Sequence, residues 1–431
     1  MARKTSTKPI SVSSRVAGFS YAIRNIASEA KKVEAAGGRV RYLNIGDPAL
    51  FGFATPGHLV EAVEKALRDG CNAYTPSPGI QPAREAIAAD YARRGLRLSP
   101  ERVVITMGAS EGIELALSAI LDEGDEVLVP TPTYPLYTAV IARLGAAAVY
   151  YPTDPQNGWV PIIDALEERI TPRSRAIVVI DPNNPTGAAY GEPVRRGILE
   201  VAERHGLVVL ADEVYADLAY DGPVAPLGSL APESAVISFN SLSKGYLAPG
   251  WRTGWLAANP TPRLDDTLAA IVRLADGRLC STGPMQYAIA PALQGDRSHQ
   301  VRFTQAIRER AQLITARLNA IEGMSCVAPG AAFYVMPRLE LPTGATDEDF
   351  VLGLVQKTGV LCVHGSGFGT SPEDGYFRIV ALAAIPELEE VCALIASFAR
   401  EFRASAARTS SPRPPLAKPA AVEARKLVLG D

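Results

Sequence analysis

A chain of 431 residues with 43 basic and 46 acidic side chains has a formal net charge of −3. That near balance excludes a nucleic-acid surface, which needs a basic stripe. At 47% hydrophobic and 21% charged, the chain is of globular makeup and long enough for two domains and a large core, with no apolar run able to cross a membrane. The five cysteines and four histidines are scattered without metal-ligand spacing. This argues against any metal site or disulfide framework and suits a reducing cytoplasm.

In chain order, residues 1–15 are rich in Lys, Ser and Thr with little to pack, and read as a disordered tail. No acid precedes Glu29, as in a transit peptide, but residues 21–34 already have the pattern of a folded amphipathic segment. Residues 16–45 form an N-terminal segment that packs with a small domain. Its helix, 24–36, stops at Gly37-Gly38, and a strand, 39–45, runs into Gly46-Asp47-Pro48. Helices follow at 58–69 and 82–94, separated by the breaker-rich loop around Tyr74-Thr75-Pro76.

From Glu101 to Gly254 one pattern repeats: a short β-branched strand, a Gly/Pro/Asn loop, a helix. Apolar strands stand at 103–105, 126–129, 176–180, 207–210 and 236–239. Such runs alternating with helices predict an α/β fold whose mainly parallel sheet is covered on both faces. This large domain spans 46–295. A smaller α/β domain, 296–402, opens with a helix at 296–321 and has strands at 325–327, 332–336, 360–363 and 376–380. A Pro- and Ser-rich tail, 403–431, reads as disordered.

The last strand of the repeat leads into Ser241-Leu242-Ser243-Lys244, with Arg252 eight residues beyond the lysine. A partly deprotonated lysine condenses with an aldehyde, and hydroxyls with a guanidinium suit a dianionic phosphate ester. Together they point to pyridoxal 5'-phosphate: the aldehyde on Lys244, the phosphate on Ser241, Ser243 and Arg252. In parallel sheets ligands sit beyond the carboxyl ends of the strands. Asn184, Asp212 and Lys244 stand at such ends, 28 and 32 residues apart, about one strand–helix unit each.

Chemistry gives each a task. Asp212 would keep a pyridine nitrogen protonated, Tyr215 and Asn184 would donate to the ring oxygen, and Tyr134 would stack on the ring. Gly108-Ala109-Ser110 opens a helix, where free N–H groups favour an anion. Arg378 could take a carboxylate with its fork. Bland alternatives stay open residue by residue: a helix cap for Asp212, a turn for Asn184, packing for the tyrosines, a surface ion pair for Arg378.

These residues, in this order, resemble the class I/II aminotransferases of PLP fold type I, over about residues 16–402. The lysine stretch departs only at Thr253, where that family has an aliphatic residue. Leu43-Asn44-Ile45-Gly46-Asp47-Pro48, Pro182-Asn183-Asn184-Pro185-Thr186-Gly187 and Val363-His364-Gly365-Ser366-Gly367-Phe368-Gly369, with Tyr21-Ala22-Ile23-Arg24, narrow the resemblance to the alanine aminotransferases of bacteria and archaea. It implies a seven-stranded large-domain sheet and ping-pong exchange of an amino group between L-alanine and 2-oxoglutarate. Lys244 would be the Schiff-base residue, and Ala109, Ser110, Ser243 and Arg252 the phosphate holders. Gly46, Asn184 and Arg378 would meet the substrate carboxylate. Tyr74 would reach the phosphate of a neighbouring subunit in a homodimer, and Tyr21 and Arg24 would close over the substrate. The competing expectations are the same fold with an aromatic, branched-chain, methionine or aspartate donor, and a PLP-dependent lyase or oxidase.

Overall fold

A computed structural model describes residues 11–13 and 26–406. Tyr21, Arg24, most of residues 1–25 and the tail beyond residue 406 lie outside the described residues. The first strand, β1 (Arg41–Tyr42), belongs to the second region described below. A large sheet then forms from β2 (Val103–Thr106), β3 (Glu126–Thr131), β4 (Ala147–Asp154), β5 (Val160–Pro161), β6 (Ser174–Ile180), β7 (Val208–Asp212), β8 (Val236–Ser241) and β9 (Gly254–Ala258). Its order is β2-β9-β8-β7-β6-β3-β4-β5. β4, β3, β6, β7 and β8 pair in parallel, whereas β9 runs antiparallel to both β8 and β2, and β5 antiparallel to β4. The sheet therefore has eight strands, one more than the expected seven, the addition being the two-residue β5 on the edge.

Period-two alternation sends the residues of each central strand into two cores. Val127, Val129, Val178 and Ile180 pack on one face with the helices Ala109–Ile120, Pro135–Arg143 and Asp265–Asp276. Leu128, Ile177, Val179 and Val209 pack on the other with the helix Glu192–Arg204. Each such side chain removed from water contributes about 1.5–3 kcal/mol before chain entropy is charged against it. The sheet is thereby a rigid platform, and its carboxyl edge holds loops in fixed places.

The second region contains the helix Ser298–Asn319, β10 (Met324–Ser325), β11 (Tyr334–Val335), β12 (Arg338–Leu339), the helix Asp347–Thr358, β13 (Val360–Leu361), β14 (Val363–His364), β15 (Phe377–Val380) and the helix Ile385–Ala406. That last helix runs past Phe402, where it was expected to end. β1 pairs in parallel with β13, and Ile26, Ala30 and Leu43 share a core with Phe350, Val360, Phe377 and Ile395. β14 and β11 flank β15, both antiparallel to it. Among the described residues no helix is long and apolar enough to cross a membrane.

Candidate active site

Where the carboxyl edge of the large sheet meets β11 and β15, a cavity of about 330 Å³ opens. Twelve of the fifteen residues singled out from the sequence line it: Gly46, Ala109, Ser110, Tyr134, Asn184, Asp212, Tyr215, Ser241, Ser243, Lys244, Arg252 and Arg378. Tyr74 lies in a loop outside it, 81% exposed. Asn44, Phe368 and Tyr334 were not singled out, yet Asn44 and Tyr334 line the wall and Phe368 stacks on Arg378.

Lys244 follows β8 by three residues and turns inward, where Nζ donates to Gly46 O at 2.6 Å. Burial lowers its pKa from the ordinary lysine value to about 8, partly offset by Asp47 and reinforced by Arg378 and Arg252. An amine with that pKa is a nucleophile near neutral pH, which an exposed lysine is not.

Asp212, the last residue of β7, is 6% exposed. It accepts from Tyr137 Oη at 3.2 Å and from Val214 N at 3.3 Å, so the local turn bond is present, as one of two long bonds. Two long bonds do not compensate the loss of water, and burial pushes the carboxyl up to about 6. A cation arriving at this place would reverse that shift.

Pro182-Asn183-Asn184 divides its tasks. Asn183 is the turn residue: its Oδ1 accepts from Thr186 N at 3.2 Å and Thr186 Oγ1 at 2.8 Å. Asn184 instead points its Oδ1 at Arg378 Nη1, 2.9 Å away, so its N–H pair is the end left for a ligand oxygen.

Arg378 is no surface ion pair. On β15 and 2% exposed, it donates from Nη2 to Asn44 O at 2.6 Å, and its Nε is buried without a partner. The guanidinium lies 4.6 Å from the ring centre of Tyr334 and 4.7 Å from that of Phe368, which fixes its plane. Beside it, both polar ends of the Asn44 side chain are buried and unpartnered.

At the opposite end, Gly108 takes φ 77° and starts the helix Ala109–Ile120 with no side-chain cap. Its free N–H groups sit beside Ser110, Ser243 and the Arg252 guanidinium, a place suited to an anion. A Cβ on Gly108 would come 2.5 Å from Arg252 Nη2. The acid in that first turn, Glu111, folds back onto Met107 N and pairs with Arg278 at 2.8 Å, so its charge is met there. Thr253, the departure within the lysine stretch, is buried and gives its hydroxyl to Trp251 O.

The crowding makes Gly46 irreplaceable. A Cβ there would lie 2.4 Å from Phe333 Cε2 and 2.7 Å from Tyr334 Oη. Gly46→Ala is expected to destabilise the fold by about 1–3 kcal/mol, read as a lower Tm in thermal denaturation.

A family model described as aminotransferase class I and II matches residues 40–395. The chain belongs to that family. It is 38% identical over 395 residues to the glutamate-pyruvate aminotransferase AlaA of Haemophilus influenzae, covering 89% of this chain and 96% of the relative. To the alanine aminotransferase of Mycobacterium tuberculosis it is 38% identical over 392 residues, 89% of this chain and 91% of the relative. The solved alanine aminotransferase of Pyrococcus furiosus superposes with a TM-score of 0.88 at 39% identity, over 91% of this chain and all of that one. As an aminotransferase of this class, the protein has the α/β fold of its relatives, and amino acids and 2-oxo acids are its substrate classes.

Proposed function

We propose that this aminotransferase holds pyridoxal phosphate on Lys244 and moves an amino group between L-alanine and 2-oxoglutarate, giving pyruvate and L-glutamate. The likeness to proteins of that activity along nearly the whole chain is the observation that carries the choice of substrates.

The cavity suits the coenzyme on three counts. An uncapped helix start with Ser243 and Arg252 matches a phosphate, a buried amine matches an aldehyde, and a buried carboxylate short of hydrogen bonds matches a protonated ring nitrogen. Bound there, pyridoxal phosphate supplies an aldehyde carbon for the amino group and a ring that draws electrons from the substrate α-carbon.

The protein's own groups do the rest. Lys244 Nζ, displaced by the substrate amine, carries a proton from the α-carbon as base and returns one as acid. Asp212 would hold its charge to meet a protonated ring nitrogen. Tyr215 and the Asn184 N–H pair would donate to the ring oxygen, and Tyr134 would cover the ring. Arg378, with Nε unpartnered, takes the substrate carboxylate, and Gly46 leaves room beside it. Two copies of the chain complete each other's sites: Tyr74 is free to reach across, and Arg252, though aimed at the anion place, is exposed in a single copy. We assign the enzyme to the cytoplasm, where its five cysteines remain free thiols.

Mixing the coloured holoenzyme with single amino acids in the absence of any oxo acid tests the substrate choice. Alanine and glutamate are expected to bleach the visible band, aspartate and phenylalanine to leave most of it. Bleaching by aspartate or phenylalanine but not alanine would replace the donor, and release of ammonia with pyruvate would replace the reaction class.

A further inference from the structure

Tyr334 touches both halves of this site, and its hydroxyl has no part in the chemistry so far. It reaches the cavity from β11, in the second region. Its hydroxyl is 2.6 Å from Tyr215 Oη, and the two rings meet edge to face at 5.5 Å. The same ring lies 4.6 Å from the Arg378 guanidinium. Gly46, whose carbonyl holds Lys244 Nζ, packs so near that a Cβ there would be 2.7 Å from Tyr334 Oη.

A tyrosine hydroxyl has one proton to give. With Tyr215 donating to the coenzyme's ring oxygen, as the reading above has it, no proton remains for Tyr334. Tyr334 is then the donor of the pair. A hydroxyl that accepts a short hydrogen bond is polarised and becomes a stronger donor itself. Both tyrosines are buried, so no water competes for the bond.

We propose that Tyr334 is a positioning residue that joins the coenzyme and substrate-carboxylate sites: its hydroxyl donates to Tyr215 and strengthens Tyr215 as a donor to the coenzyme ring oxygen, while its ring holds the plane of Arg378. The inference rests on Lys244 carrying pyridoxal phosphate. A donor on the ring oxygen takes up negative charge there. That weakens the oxygen's hold on the proton of the neighbouring nitrogen on Lys244, so the coloured holoenzyme titrates at lower pH.

The test is a pH titration of the visible band of four holoenzymes: wild type, Tyr334→Phe, Tyr215→Phe and the double variant. Tyr334→Phe keeps the ring under Arg378 and removes only the hydroxyl. Its midpoint is expected to rise by about 0.5–1 pH unit, the scale of one hydrogen bond. On the Tyr215→Phe background the same change is expected to move the midpoint by less than about 0.3 unit, because the relay has lost its middle member. Tyr334→Leu, which removes the ring as well, is expected to raise KM for alanine and 2-oxoglutarate about tenfold over Tyr334→Phe.

A midpoint that stays or falls in Tyr334→Phe overturns the relay, as does an equal rise on both backgrounds. Equal KM values for the Phe and Leu variants overturn the hold on Arg378. A wild type with no titrating visible band overturns the coenzyme reading itself, a different result from failure of the relay alone.

Discussion

Lys244→Ala is expected to lower kcat for alanine-dependent pyruvate formation by at least about 10,000-fold, the upper end of what one positioned acid–base group contributes, because in the proposed function the same side chain also carries the covalent link. Nothing else in the cavity can take over. Arg252 and Arg378 present guanidinium N–H donors and no acceptor atom. Burial pushes the Tyr215 hydroxyl far above the ordinary phenol value, which leaves it a donor and a poor base. Asp212, in the proposed function, serves the far end of the ring. Lys244→Arg retains the charge near Gly46 O but can neither condense with an aldehyde nor move a proton, and is expected to be equally inactive. Activity within tenfold of wild type in either variant would contradict the role. Thermal denaturation separates this loss from misfolding, since removing an amine that burial already penalises is not expected to lower Tm.

Asp212→Asn is the second large effect. Asparagine keeps the shape of the side chain and, through Oδ1, the bond from Val214 N, while its NH2 faces the Tyr137 hydroxyl as a donor and the charge is gone. The kcat for the same reaction is expected to fall by about 100- to 1,000-fold, the scale of a lost electrostatic stabiliser at a reacting centre. Asp212→Glu, which retains a negative charge at a longer reach, is expected to lose less. Stability without coenzyme should move the other way. The folded carboxyl titrates near 6 against an ordinary value of 3.8, so the folded chain binds this proton more tightly than the unfolded one. The cost is absent below the ordinary value, grows as pH rises through 6 and is complete above it, amounting to about 3 kcal/mol. Coenzyme-free wild type is thus expected to lose more stability between pH 5 and 7 than coenzyme-free Asp212→Asn, in urea melts at the two pH values. Equal losses in the two proteins would show that Asp212 is already compensated in the empty site.

The strand ends were readable because each buried parallel strand is a near-continuous apolar run that stops at a polar residue: Asp212 ends β7 and Ser241 ends β8. What a run of apolar residues does not encode is direction or partner. Gly254-Trp255-Leu256-Ala257-Ala258 is as apolar as its neighbours, yet was missed as a strand and runs antiparallel between β8 and β2. β4 was missed for the opposite reason, since it lies next to the edge, covered there only by the two-residue β5, and its residues are mostly half-exposed or exposed. In the second region the chain changes partners at Cys362: β13 pairs with β1 and β14 with β15, so one expected strand at 360–363 is two short ones.

The same limit explains the site residues that escaped notice. Asn44, Tyr334 and Phe368 matter through contacts with Arg378, and nothing local distinguishes them from core residues. Their only sequence signals were the motif 43–48, the aromatic pair Phe333-Tyr334, and the glycines around Phe368. Long-range placement, set by the packing of the second region on the strand edge, made them part of the cavity.

The most direct measurement is borohydride reduction of the holoenzyme followed by mass mapping of its peptides. A reduced link to pyridoxal phosphate is predicted on the peptide containing Lys244 and on no other, in about one copy per chain. Reduction that labels a different lysine, or a protein that stays colourless with the coenzyme and yields no labelled peptide, would contradict it.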